Sequence, residues 1–252
     1  MSFRVSADAY DRFMGRYSVP LAPPLADLAA VTAGQRVIDV GCGPGALTTE
    51  LVRRVGTPAV SAVDPSEPFV DAARQRHPDV DVRLASAEQL PYDDDTFDAA
   101  LAQLVVHFMA DPVVGLTEMR RTTRPDGVVA ACVWDFEGGR GPLGVFWEAA
   151  HRLDPDVTDE AGLAGAREGH LNHLFRAAGL HNVEETVLTV SVEHPTFEEW
   201  WEPFTLGVGP AGAHVASIDG DQQAGLREEC RSMLPPAPFV VQARAWAARG
   251  TA

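Results

Sequence analysis

Residues 37–46 read VIDVGCGPGA. A short apolar, β-branched run stops there at three glycines spaced two apart, Gly41, Gly43 and Gly45, with Asp39 just ahead of them. The next residues, ALTTELVRRVG, place Leu47, Leu51 and Val55 on one helical face and end at Gly56. A strand that feeds a helix through a glycine turn opens a βαβ unit. In doubly wound sheets the first such turn is the usual ligand site. This one stretch therefore constrains both the architecture and the chemistry of whatever binds.

The same alternation continues downstream. AVSAVD reads as a second strand, and SEPFVDAARQRH as a helix with Ser66 as a candidate N-cap and Pro78 beyond its end. DVRLAS is a third strand, FDAALAQLVVHF contains a fourth, and DPVVGLTEMRRTTRPDG is a helix and turn. GVVAACVWDF is a fifth, nearly continuous apolar strand, as expected in a sheet covered on both faces. Strands and helices alternating at this spacing predict an α/β fold with a mostly parallel sheet and right-handed crossovers.

Beyond Phe136 the pattern loosens. One helix lies within GGRGPLGVFWEAAHRLDPD, another in REGHLNHLFRAAGL, and NVEETVLTVSVEH alternates like a strand. TFEEWWEPF is a helix with an aromatic stripe, DQQAGLREECRSML is a helix broken by PPAP, and FVVQARAWAARG closes the sheet. A chain of 252 residues with 46% apolar and 22% charged residues suits one large domain. The expected organisation is a single domain over 1–252, with 1–30 as an N-terminal helical cap. Segments 136–166 and 196–235 are insertions over the carboxyl edge of the sheet.

Charge and cysteine usage exclude several function classes. The net charge of −16, without a run of Lys and Arg, repels phosphate backbones and anionic lipid. Cys42, Cys132 and Cys230 form no CxxC, so neither a disulfide framework nor a zinc site is expected. The run Asp93–Asp95 reads as a solvated turn, and no metal is assigned. No secretory pattern or membrane-length apolar stretch occurs, so the expectation is a cytoplasmic protein with a small-molecule partner and neither nucleic acid nor membrane.

Gly41, Gly43 and Ala46 satisfy G-x-G-x-x-G/A, a weak pattern by itself. Two residues speak against a dinucleotide pyrophosphate. Asp39 adds negative charge near the turn, and Pro44 removes one of the N–H donors that phosphate cradles use. A cationic or zwitterionic nucleoside fits better. Asp64 ends the second strand 19 residues after Gly45, the place of a ribose-binding carboxylate. The structural alternative for Asp64 is a helix-initiating residue.

VIDVGCGPGALTTEL, AVDPSEPFVDAAR, ASAEQLPYDDDTFDAALAQLVVHFMADP and EMRRTTRPDGVVAACVW together resemble successive motifs of the class I S-adenosylmethionine-dependent methyltransferases, in the branch that includes small-molecule and quinone enzymes. The resemblance covers roughly residues 8–135 and continues more loosely through HLFRAAGLHNVEETVLTV. It implies a doubly wound, Rossmann-like sheet of seven strands with the last inserted antiparallel and helices on both faces. It implies S-adenosylmethionine as cofactor and methyl transfer as activity. By this resemblance Asp39, Gly41, Cys42, Gly43 and Gly45 form the turn under the methionine and ribose, Asp64 holds the ribose, and Pro65 lies beside the adenine. Ala87 and Glu88 flank the adenine, Ser86 stands where the family often has aspartate, and Gln103 and Leu104 contact the methionine portion. Tyr10 and Arg16, in YDRFMGRYS, are candidates for closing over the methionine carboxylate, or else belong to an amphipathic surface helix.

Methyl transfer from a sulfonium needs alignment and water exclusion more than dedicated acids and bases. His107 is the candidate base, with a packing histidine as its alternative. The aromatic residues Trp134, Phe146, Trp147, Trp200, Trp201 and Phe204 form the candidate acceptor pocket, although each alone could simply glue an insertion to the sheet. The acceptor is thus expected to be small and hydrophobic or aromatic. Rival readings are a non-catalytic S-adenosylmethionine-binding protein and an NAD(P)-dependent oxidoreductase.

Overall fold

The computed structural model describes residues 6–252, so the first five residues of the expected N-terminal cap lie outside the described residues. β1 (Val37–Val40) is buried at every position because it pairs in parallel with β2 (Val60–Asp64) on one side and β4 (Phe97–Gln103) on the other. β3 (Asp81–Leu84) extends the sheet beyond β2, and β5 (Thr123–Trp134) lies beside β4. β7 (Phe239–Thr251) inserts antiparallel between β5 and β6 (His181–His194). The strand order is β3-β2-β1-β4-β5-β7-β6, the seven-stranded arrangement with an antiparallel last strand.

Strand residues alternate between two apolar layers, as the pleat requires. Val37, Ala62, Leu101, Cys132 and Trp134 face one core; Ile38, Val63, Ala100, Ala102 and Val133 face the other. The first layer is covered by α2 (Arg16–Leu28), α3 (Ala46–Val55) and Val70 and Ala73 of α4 (Glu67–Arg76). The second is covered by α5 (Pro112–Thr122) and α7 (His170–Ala177). Short α1 (Ala7–Tyr10) runs through a π-helical turn, Asp11–Gly15, directly into α2. That helix survives Pro20, Pro23 and Pro24 because Leu21, Ala22, Leu25 and Ala26 on its inner face are almost wholly buried. Here tertiary burial outweighs helix propensity.

Segment 136–166 carries α6 (Gly144–Leu153). Segment 196–235 carries α8 (Phe197–Trp201), a 3₁₀ turn at Glu202–Leu206, α9 (Gly209–Ser217) and α10 (Gly220–Met233). The two segments pack on each other through aromatic rings. Phe146 stacks on Phe204 with centroids 4.6 Å apart and meets Trp147 edge-on, while Phe204 also touches Phe13 and Trp200. α9 has no counterpart in the sequence reading, since its GPAGAHVAS carries too little apolar periodicity to announce a helix. β5 begins at Thr123 rather than Gly127, with a register irregularity against β4 and Asp126 at φ 63°. Among the described residues no helix is long and apolar enough to cross a membrane.

Phe146 is fully buried at the centre of this aromatic joint. Phe146→Ala is expected to cost about 3–5 kcal/mol. Urea unfolding with an unchanged m-value checks it, and a loss below about 1 kcal/mol would show the joint to be peripheral.

Candidate functional site

Parallel pairing brings the carboxyl ends of β1, β2 and β4 together, so the loops leaving them frame one space. The glycine turn at its floor engages its own donors. The N–H groups of Gly41 and Cys42 both donate to the Val63 carbonyl, at 2.8 and 2.9 Å. Gly43 N–H donates to Asp64 Oδ2 at 2.9 Å, Gly45 N–H donates to the Cys42 carbonyl at 2.9 Å, and Pro44 has no N–H. Within 41–45 no backbone donor remains for a phosphate. Gly41 sits at φ +73°, and a Cβ there would lie 2.4 Å from Val105 Cγ2, so only glycine allows this close approach.

Above the turn lies a cavity of about 310 Å³. Of the residues expected at a cofactor, Gly41, Gly43, Asp64 and Pro65 line it, as do Ser86, Ala87 and Glu88 after β3. Gln103 and Leu104 at the end of β4 and Tyr10 of α1 line it as well. Ser66, Phe69, Val105, Phe108, Met109 and Ala110 also line it and were not foreseen. They sit one or two positions from recognised motif residues or on the first turn of a helix, where only the fold reveals which side chains turn inward. Leu104 holds φ 62° while its N–H donates to the Cys132 carbonyl, a left-handed conformation at the cavity wall.

Four expected residues lie outside this lining. Asp39, Cys42 and Gly45 shape the turn from beneath rather than face the cavity. Arg16 is a correction. Its Nε donates to the Arg12 carbonyl at 3.0 Å, and its Nη1 donates to the Glu199 carbonyl at 3.0 Å and to His194 Nδ1 at 3.1 Å. Six residues and a π-helical turn beyond Tyr10, it emerges on another face, where buried His194 of β6 and the exposed Glu199 carbonyl of α8 take its guanidinium.

The electrostatics favour a cationic guest. Among the described residues, Asp64 and Glu88 are the charged groups of the lining, with no Lys or Arg beside them. Asp64 accepts from Gly43 and Ser66 N–H, yet burial pushes its carboxyl up to about 6. Asp39 accepts from the Thr48 hydroxyl at 2.6 Å through Oδ2, and burial pushes it up to about 7. Among the described residues, Asp39 Oδ1 and Gln103 Oε1 are buried acceptors without a donor. The other end of Gln103 is held, since its Nε2 donates to the Ser18 carbonyl at 2.9 Å.

A narrow cleft of about 30 Å³ adjoins the cavity and shares Tyr10, Leu104 and Phe108 with it. Trp134 and His107 line this cleft. His107 is packed on Phe108 and Phe136, and burial drives its ring down to about 3. At that value it stays neutral and is a poor proton acceptor near pH 7, an environment that suits a hydrogen-bonding role better than a base. The remaining aromatic candidates do not line the cleft. Phe146, Trp200, Trp201 and Phe204 form the joint between the insertions. Trp147 reaches the cleft only indirectly, by donating its indole N–H to Glu160 at 2.9 Å. Their aromatic character signalled burial, which sequence cannot distinguish from pocket lining.

Residues 38–131 match the family model described as a methyltransferase domain. An uncharacterized methyltransferase of Mycobacterium tuberculosis is 38% identical over 140 residues, covering 56% of this chain and 54% of that one. The chain thus spans about half the length of such a curated relative. A ubiquinone/menaquinone biosynthesis C-methyltransferase of Bdellovibrio bacteriovorus is 36% identical over 200 residues, covering 77% of this chain and 83% of that one. A solved structure from Bacillus halodurans described as a methyltransferase has the same fold, with a TM-score of 0.59 at 16% identity over 91% of this chain and 97% of that one.

With the relative of Bdellovibrio aligned over most of both chains, the chain belongs to the class I S-adenosylmethionine-dependent methyltransferases. The cofactor that goes with this membership is S-adenosylmethionine.

Asp39 yields a prediction on stability. Its folded pKa is raised, so protonation stabilises the fold fully below the unfolded value, and that contribution is lost as pH rises through about 7. Without cofactor, Asp39→Asn is therefore expected to melt above the wild type at pH 8, with the gap closing by pH 5. Thermal unfolding at both pH values tests this; a gap that is constant with pH would show that Asp39 is not titrating there.

Proposed function

We propose that this chain transfers the methyl group of S-adenosylmethionine to a small, neutral, apolar acceptor. One observation carries the reading: a cavity whose turn offers no spare backbone donor, and whose wall has carboxylates but no cation among the described residues, opens beside an apolar cleft. A dinucleotide pyrophosphate would find no free N–H in the turn and, among the described residues, no positive charge. A ligand with ammonium and sulfonium groups finds acceptors, including the donor-free Gln103 Oε1.

Asp64 would take the ribose hydroxyls, and Ser86, Ala87 and Glu88 the adenine edge, with Phe69 and Met109 as apolar wall. Gln103, Leu104 and Tyr10 would face the methionine portion. The bound cofactor supplies an electrophilic methyl with a neutral thioether as leaving group. The protein's own contribution is alignment and exclusion of water, which suffices for much of such a reaction. Tyr10 packs against Phe69 across the cavity mouth, with ring centroids 5.2 Å apart. Asp11 of the same segment pairs with Arg76 of α4, which also donates to the Pro44 carbonyl at 2.9 Å. The N-terminal segment is thereby tied to the turn it covers. The acceptor class follows the apolar cleft, and the quinone chemistry in the name of the Bdellovibrio relative supports a small organic molecule.

Isothermal calorimetry is the direct test. Micromolar binding of S-adenosylmethionine or S-adenosylhomocysteine, without binding of NADH, is the expected outcome, and preferential NADH binding would reverse the reading. Binding without a methylated product across a panel of small acceptors would favour a non-catalytic binder. Asp64→Ala should weaken cofactor affinity by about 1–3 kcal/mol through loss of a buried hydrogen-bonding carboxylate. An unchanged affinity removes Asp64 from the ribose contact.

A further inference from the structure

The cofactor cavity contains a buried acceptor whose direction is set from outside the cavity. Gln103, the last residue of β4, is only 8% exposed and lines the cavity. Its Nε2 donates to the Ser18 carbonyl of α2 at 2.9 Å, while its Oε1 is buried without a hydrogen-bond partner among the described residues. A carbonyl oxygen accepts and cannot donate. Turning the amide over would set Oε1 against the Ser18 carbonyl, acceptor to acceptor, and forfeit the bond. Ser18 therefore decides that the oxygen, not the NH₂ end, is left for a ligand. Ser18 itself is firmly placed. It is buried, its Oγ donates to the Met14 carbonyl at 3.1 Å, and it lies on the helix that packs Leu21, Ala22 and Leu25 into the core.

The strand order fixes which part of a bound nucleoside meets this oxygen. Across the carboxyl edge the sheet runs β3, β2, β1, β4, and the cavity is lined in that order by Ser86 to Glu88, Asp64 to Ser66, the glycine turn and Gln103. Neighbouring strands lie about 4.8 Å apart, so Gln103 stands roughly 14 Å from the residues after β3. A nucleoside with its base beyond β3 and its ribose at Asp64 carries its amino-acid tail toward Gln103. That tail ends in an ammonium, which only donates, and a carboxylate, which only accepts. A carboxylate would meet Oε1 acceptor to acceptor. An ammonium supplies the donor that the amide oxygen lacks.

We propose that the main-chain carbonyl of Ser18 locks the Gln103 amide as a one-way acceptor, and that this pair selects the ammonium group of the cofactor's amino-acid tail; the proposal rests on the methyl-transfer reading above. Gln103 is the contact residue. Ser18 is a positioning residue, since it does not line the cavity and acts only through the amide it orients. A buried acceptor without a donor is costly in the empty site, and a ligand N–H removes that cost on binding. The site thereby acquires a rule for its ligands. Loss of the tail's ammonium is penalised at Gln103, whereas loss of its carboxylate is not penalised there. The helix α2 becomes part of ligand recognition from behind the cavity wall, in addition to its place in the core.

The test is calorimetry on the full chain with S-adenosylhomocysteine, its deamino analogue, which has a butanoate tail, and its decarboxy analogue, which has an aminopropyl tail. The deamino analogue should bind the wild type roughly ten- to a hundredfold more weakly than S-adenosylhomocysteine, the usual effect of losing a hydrogen bond to a charged group. Gln103→Met keeps the length of the side chain without donor or acceptor. It should weaken S-adenosylhomocysteine and the decarboxy analogue by about that factor and leave the deamino analogue nearly unchanged, so that the two losses do not add. Equal weakening of all three ligands makes Gln103 a prop for α2 and overturns the proposal. So does a deamino analogue that binds the wild type as tightly as S-adenosylhomocysteine, a comparison that needs no variant. The lock is read by NMR on the chain with isotope-labelled glutamine. The side-chain amide signals lost in Gln103→Met should exchange with water more slowly than those of exposed Gln75 and Gln89, in the free and the bound chain alike. Equally fast exchange in the free chain removes Ser18 as the positioning group. Failure of the wild type to bind S-adenosylhomocysteine at all strikes the methyl-transfer reading instead.

Discussion

The bond between the Gly43 N–H and the Asp64 carboxylate is the contact on which the site depends. It joins the turn after β1 to the end of β2, and the two N–H groups donating to the Val63 carbonyl tighten the same seam. These bonds consume the backbone donors of the turn, so none is left to face the cavity. A glycine turn of the same outline can bind phosphate elsewhere when its donors point outward. Here the turn's donors are spent within the protein, with the Asp39 and Asp64 carboxylates buried beside it.

Around that seam the molecule is built in layers of decreasing obligation. The parallel strands and the helices on both faces exist to bury alternating apolar side chains. The leading end of the N-terminal cap, residues 10–16 ahead of the buried face of α2, has a different status. It is attached through Tyr10 on Phe69, Asp11 on Arg76 and Arg16 on the β6–α8 region, contacts that lie partly at the surface. The insertions are held by an aromatic joint that is itself a small core. From the insertions, the cleft is faced by residues beside the joint: Leu143 and Glu160 flanking α6 in one, and Val208 with the first turn of α9 in the other.

Much of the cavity lining was legible because its residues are set by local motif and register. Gly41, Gly43, Asp64, Ala87 and Gln103 fall at strand ends, and a parallel sheet carries strand ends to one edge whatever the loops do. Residues positioned by helix rotation or by packing between distant segments were not legible. Arg16 has the right chemistry for a carboxylate, yet the π-helical turn and the acceptors near His194 direct it elsewhere. The tryptophans and phenylalanines of the insertions were visible as aromatic, but their partners were not. Glu160 carried no signal at all, being one acidic residue in a polar loop until folding buries it against Trp147.

By itself the sequence determined the alternating α/β order, the strand-end site and the cationic character of its ligand, since periodicity, glycine spacing and Asp39 with Pro44 act within a few residues of one another. Only the tertiary structure decided that β7 slots between β5 and β6, that every donor of the turn is engaged, and that Glu160 and His107 share a cleft. Those outcomes come from contacts between residues far apart in the chain. Burial sets the protonation of Asp39, Asp64, Glu160 and His107, and burial is a property of the packed molecule rather than of any local stretch.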